Sequence, residues 1–163
     1  MRLRLWLSLV TVWAALALLA PAARAEQKPI VVRLHHPGEN QIPAAITEVR
    51  LMTAHTEVVV TALRRAEQVC WTESGPDAPY LLSGGKRFRF LGGDNIKSCP
   101  ARQSYRANDV MVLRFVPLDG DYPELSLVEG EGGEKQALDP SSSRIRYWNF
   151  LRIRFDGAKP ATR

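Results

Sequence analysis

The stretch from Val69 to Arg114, VCWTESGPDAPYLLSGGKRFRFLGGDNIKSCPARQSYRANDVMVLR, holds both cysteines of the chain, Cys70 and Cys99, with a strand-like run near each. Two cysteines and no others, behind a leader that reads as an export signal, are expected to pair, because an oxidising compartment turns thiols into disulfides. A Cys70–Cys99 bridge closes a loop of about 30 residues, for which the chain-entropy estimate is about 3.5 kcal/mol. That is a large share of a small domain's net stability. The rival reading is a pair of buried thiols, or a reactive Cys99 activated by Lys97. There is no CxxC spacing and no histidine near either cysteine in sequence, which argues against redox catalysis.

Inside the loop, Ser74-Gly75-Pro76-Asp77-Ala78-Pro79 is turn chemistry. In Lys86-Arg87-Phe88-Arg89-Phe90-Leu91 the rings alternate with cations, the period of a half-buried strand. Gly92-Gly93-Asp94-Asn95 is expected to turn the chain. Past Cys99, the continuous apolar run Val110–Val116 suits a core strand, stopped by Pro117 and by Asp119-Gly120.

Towards the N-terminus, Arg2 and Arg4 precede an apolar run from Leu5 to Leu19, followed by Ala23-Arg24-Ala25. A charged start, an apolar centre and a small-x-small end mark residues 1–25 as a signal peptide and place the product in the periplasm or outside the cell. An apolar run of 15 residues is short for a spanning helix, which needs about 20; an uncleaved anchor is the alternative. Cleavage after Ala25 leaves 138 residues, enough for a single core. It also removes three of the 22 basic side chains, so 19 face 17 acidic ones and the net charge falls to +2. That argues against nucleic acid as a partner.

In the mature chain, Pro29–Leu34 reads as a first strand halted by His35-His36-Pro37-Gly38. The adjacent histidines invite a metal, but neighbours along a strand point to opposite faces, which favours a solvated turn. Val49 and Leu51 alternate with Glu48 and Arg50 in a strand with one wet face. Thr53–Thr56 is a hairpin connection into Glu57–Leu63, whose β-branched cluster suits a central strand buried on both sides. A helix over residues 56–69 competes, since Ala62–Gln68 is made of good helix formers and Val59, Leu63, Ala66 and Val69 fall near helical spacing. His55 lies two residues before Glu57, a spacing that would put an imidazole beside a carboxylate in a strand. No serine elbow accompanies it, and a solvated hairpin tip is the simpler reading.

Leu125–Val128 is a short strand candidate. The run Glu129–Lys135, with three glycines and three glutamates, is expected to stay an exposed loop. Asp119, Asp121, Glu124 and these glutamates lack the ordered spacing of a calcium loop. Arg144–Phe155 reads as a last strand. Counting by twos, Ile145, Tyr147, Asn149, Leu151, Ile153 and Phe155 face the core, and Arg146, Trp148, Phe150, Arg152 and Arg154 face out. Arginine with large rings is the mixture enriched at protein interfaces, and Arg87 and Arg89 would widen the patch if their strand lay alongside. The alternative buries Trp148 and Phe150 beneath the arginine stems.

The expected fold is all-β: a single-domain antiparallel β-sandwich over residues 26–156 with one disulfide, followed by a polar tail at 157–163; α+β is the alternative if residues 56–69 are helical. The expected function is a non-enzymatic periplasmic or secreted binding or accessory module that meets another envelope protein through the basic-aromatic strand face, with no cofactor, no metal and no stable membrane span after signal cleavage. Two rivals remain. One is an enzyme or inhibitor acting on cell-wall material, which as a hydrolase would show convergent carboxylates in one pocket, one with a raised pKa. The other is a metal-binding protein using His35, His36, His55 and Met52.

Overall fold

The computed structural model describes residues 29–119, 123–138 and 147–155. Ten strands and one helix follow in order: β1 (Ile30–Pro37), β2 (Ala44–Leu51), β3 (Thr56–Ala62), β4 (Ala66–Val69), β5 (Pro79–Ser83), β6 (Lys86–Asp94), β7 (Gln103–Tyr105), β8 (Val110–Phe115), β9 (Glu124–Glu129), α1 (Gly130–Leu138) and β10 (Phe150–Arg154). Eight strands form one antiparallel sheet in the order β1-β2-β3-β8-β6-β5-β9-β10, while β4 and β7 pair separately. The all-β antiparallel class is correct, and the Cys70–Cys99 disulfide is formed, with Cα atoms 5.1 Å apart. Residues 1–25 and the tail 157–163 lie outside the described residues. Among those described, no helix is long and apolar enough to cross a membrane.

The long strand β6 makes one sheet act as two packed layers. Its first half pairs with β5, from Ser83↔Lys86 to Tyr80↔Arg89. Its second half pairs with β8, from Phe90↔Phe115 to Asp94↔Val112, after a register shift between Phe90 and Gly92. A bulge of this kind bends a strand and lets it pass from one layer to the other. The sheet curls until β1 touches β10, and the Glu39 amide donates to the Asn149 carbonyl at 2.9 Å. Within the curl lie Ile46, Val58, Met111, Leu113, Phe88, Phe90, Phe115, Leu81, Leu127 and Phe150. The Phe90 and Phe115 rings are 5.5 Å apart by centroid. Each such side chain stabilises the fold by roughly 1.5–3 kcal/mol.

Residues 56–69 are not helical. Thr56, Val58, Val60 and Ala62 are fully buried on one face of β3, and Glu57 and Thr61 are half-buried on the other. Val58, Val59 and Val60 carry branched side chains that favour a pleated backbone. β3 is a central strand between β2 and β8, but its outer face is only partly covered. The chain then turns at Leu63–Arg65 before β4. Two expected turns are also strand: β1 runs through His35 and His36 to Pro37 past a register shift at Arg33/His36, and β6 continues to Asp94.

The Glu129–Lys135 run corrects a further expectation, because it closes β9 and forms most of α1 instead of an exposed loop. Its glycines make poor helix formers, but they allow an approach that other residues would block. A Cβ on Gly133 would lie 2.7 Å from Asn149 Oδ1. Gly130, at φ +64°, would place a Cβ 2.4 Å from Asp77 Cα. Tertiary contact overrides propensity here. Gly130→Ala is therefore expected to cost 2 kcal/mol or more in urea unfolding, since it adds a backbone clash to left-handed strain. Gly75, also at positive φ but with nothing within 4 Å, should cost only about 1 kcal/mol as Gly75→Ala.

Candidate functional site

Past β3 the chain leaves the main sheet, and residues 64–72 form one wall of a cleft of about 820 Å³. That wall is tied at both ends. The Leu63 amide donates to the Pro43 carbonyl at 2.8 Å, and the Trp71 amide donates to the Lys97 carbonyl at 3.0 Å. The Cys99 amide returns a bond to the Trp71 carbonyl at 3.0 Å, and the disulfide lies beside this bridge. Asp77, Glu129, Tyr147 and Trp148 also line the cleft, and Arg102 contributes a third arginine beside Arg64 and Arg65.

Segment 147–149 is held to β9 and α1 by side chains standing in for a ladder. Asn149 is fully buried; its Oδ1 accepts the Glu129 amide at 3.1 Å and its Nδ2 donates to the Gly133 carbonyl at 2.9 Å. Gln136 Nε2 donates to the Tyr147 carbonyl at 3.1 Å, while its Oε1 accepts the Tyr147 amide at 3.3 Å. Glu129 Oε2 accepts the Trp148 amide at 2.6 Å. Burial pushes the Glu129 carboxyl up to about 7, with the Trp148 hydrogen bond opposing and the Asp77 charge adding to the rise.

The cations of the cleft differ in how they are engaged. Arg64 donates to the Gln41 carbonyl at 2.9 Å, and Arg65 pairs with Glu67 at 2.8 Å. Arg102 is exposed and has no partner among the described residues. The Trp71 side chain is 2% exposed, and its indole N–H is buried with no acceptor among the described residues.

The basic-aromatic face expected on the last strand does not form as a single patch. Phe150 is fully buried in the core, not outward. Phe150 pairs with Leu127 and Ile153 with Leu125, so β10 advances three residues while β9 advances two. The extra residue is accommodated with Arg152 at φ +56°, so Phe150 and Ile153 both point inward where strict alternation would separate them. Trp148 is half-buried, lines the cleft and packs against the core. Arg152 and Arg154 are exposed, and Arg154 pairs with Glu124 at 3.2 Å; Arg146 lies outside the described residues. Arg87 pairs with Glu134 at 2.7 Å and sits 4.7 Å over the Tyr80 ring, while Arg89 is exposed on the same strand. β5 and β9 separate β6 from β10, putting these arginines roughly 14 Å from the last strand.

His55 does meet Glu57, at 3.2 Å, but within a charge ladder across the sheet. Arg33 pairs with Glu48 at 3.5 Å, Arg50 bridges Glu48 and Glu57, and Arg114 joins Glu57 to Asp94. Burial alone would raise Glu57, yet hydrogen bonds from Arg50, His55 and Arg114 hold it below the ordinary carboxylate range. Such a carboxylate is a weak base and a good cross-strand partner. Among the described residues no group of three histidine, cysteine or acidic side chains could hold a metal ion.

Trp71, Asp77, Arg102 and Glu129, which the cleft brings together, come from segments that no local motif connects. The one sequence hint was Trp71 directly after Cys70. No protein-family model, curated protein or solved structure matches the chain.

Two measurements check this geometry. Phe150→Ala is expected to cost about 3–5 kcal/mol in chemical unfolding, as for a large ring removed from a core, while Arg154→Ala should stay within about 0.5 kcal/mol. Because Glu129 takes up a proton more readily in the folded chain, folding should lose stability as pH rises from its ordinary value of 4.5 to about 7. The loss should be on the order of 2 kcal/mol. Urea melts across that window should show a flatter profile for Glu129→Gln.

Proposed function

We propose that the chain is a non-enzymatic binding or accessory module of the periplasm or exterior, and that it meets another envelope protein through the cleft beside β4. The supporting observation is the cleft itself: about 820 Å³, with one wall containing Cys70 and tied at Leu63 and Trp71, and with Trp148 and Arg102 in its lining. Tryptophan and arginine dominate binding energy at protein interfaces, because they bury large area while retaining polar handles. A wall held by covalent and backbone ties loses little freedom on binding. The leader sequence and the disulfide favour an oxidising compartment as the place of action.

A second reading draws on Glu129 and Asp77, two carboxylates lining one cleft with Glu129 titrating near neutrality. That is the chemistry a glycan hydrolase of the cell wall would use. Binding ranks first because the Glu129 carboxylate already serves the Trp148 backbone and Asp77 sits at an exposed turn.

The two readings separate by substitution. With the purified chain as bait in an envelope extract, Arg102→Glu is expected to weaken capture of the partner at least tenfold, Arg152→Ala to leave it unchanged, and Glu129→Gln to leave it within about twofold. Capture insensitive to Arg102→Glu but lost with Arg152→Ala would move the contact to the outer strand. Cleavage of cell-wall glycan by the parent chain, abolished by Glu129→Gln, would establish the enzyme instead.

A further inference from the structure

Among the described residues, strand β4 has a partner on one side only. It belongs to a two-stranded ribbon with β7, outside the eight-stranded sheet, and two-stranded ribbons are marginal on their own. Ala66 pairs with Tyr105 and Val69 with Gln103, with an irregularity between them. Every residue from 64 to 72 lines the cleft. The strand is bulged here: Gln68 takes φ +58°, and Ala66 and Val69 are both buried while Glu67 and Gln68 are both exposed, so the cleft follows the length of an irregular strand and not one face of a regular one. Between its ties at Leu63 and Trp71, the side of β4 away from β7 carries no ladder among the described residues, the kind of edge onto which another strand adds.

The charges of the lining indicate what would add. Arg65 and Glu67 satisfy each other. Burial raises Glu129 to about 7, so near neutral pH it is only partly ionised. Arg64 and Arg102 then face Asp77 and a partly protonated Glu129, leaving the cleft with a small excess of positive charge and with Arg102 uncommitted among the described residues. The buried Trp71 indole N–H also lacks an acceptor among the described residues. Trp148 and Tyr147 add ring surface to the same lining.

We propose that the cleft takes an extended, acidic peptide segment of the partner protein, which adds to the open edge of β4 as a third strand of the β4–β7 ribbon. This rests on the reading of the cleft as the contact surface and names the form its ligand takes. Main-chain hydrogen bonds to β4 supply affinity, and alternate side chains reach Trp148 on one side and Arg102 on the other.

The test uses a capped eight-residue peptide of alternating valine and glutamate, its valine–lysine counterpart, and the glutamate peptide N-methylated at alternate residues. Calorimetry with the full chain is expected to show binding of the glutamate peptide, at least tenfold weaker binding of the N-methylated form, and at least tenfold weaker binding of the lysine form. Hydrogen exchange should slow at amides 65–69 on addition of the glutamate peptide. Arg102→Glu should weaken that peptide at least fivefold, while Arg152→Glu should leave it unchanged. Equal binding of the N-methylated peptide would overturn strand addition. Equal or tighter binding of the lysine peptide would overturn the acidic ligand. Absence of binding by all three would overturn the proposal, yet the cleft reading would survive if Arg102→Glu still abolished capture of the natural partner.

Discussion

The passage of β6 from one partner strand to another governs the architecture. A single strand that gives Lys86–Arg89 to β5 and Phe90–Asp94 to β8 must bend where the partners change, and the register shift at Phe90/Gly92 supplies that bend. The sheet therefore curls, and Phe88 and Phe90 stay on the inner face, beside Phe115 and Leu81. Without the bend, eight strands would form an open sheet with one face exposed. With it, the two outermost strands of the order, β1 and β10, come into contact, which shields edges that would otherwise invite pairing.

The closing end of that curl is built differently from the rest. β1, β2, β3 and β8 are joined by backbone ladders, with register shifts at Arg33/His36 and Ile46/Glu48, and, on the outside, by the Arg33–Glu48–Arg50–Glu57–Arg114–Asp94 chain of charges. Partly exposed pairs of this kind each contribute modestly, but they line up the outer face without exposing apolar surface. At β9, α1 and segment 147–149, side chains replace the ladder: Asn149, Gln136 and Glu129 each bond to backbone groups. Burying those polar groups is tolerable only because they are satisfied. Close packing of the glycine-rich helix α1 against Asn149 leaves no room for larger residues.

The cleft follows from these two features. The chain leaves the main sheet after Ala62 and rejoins it at β5, and in between residues 64–72 are anchored by short ties and the disulfide. Opposite them stands the side-chain-clamped segment that carries Trp148. A carboxylate buried between the two, Glu129, shifts towards neutrality because desolvation disfavours its charge. The recess thus combines a wall tied at both ends, a strand with one ladder among the described residues and an arginine, Arg102, without a partner among them, the features on which the binding proposal is built.

Several features were readable from residues alone because their causes are local. Alternation of Phe88 and Phe90 with Arg87 and Arg89 marks a half-buried strand, the Val58–Val60 cluster marks a pleated one, and two cysteines behind a leader that reads as an export signal mark a disulfide. The inward turn of Phe150 was not readable, because a bulge at Arg152 adds a residue that no period-two count anticipates. Nor was the helix of Gly130–Leu138, whose glycines acquire meaning only when Asp77 and Asn149 press against them. The assembly of Trp71, Arg102, Glu129 and Trp148 around one space was likewise decided by tertiary structure. Periodicity reports which face of an element is wet, whereas the meeting of distant segments depends on register, bulges and closure, which are properties of the packed whole.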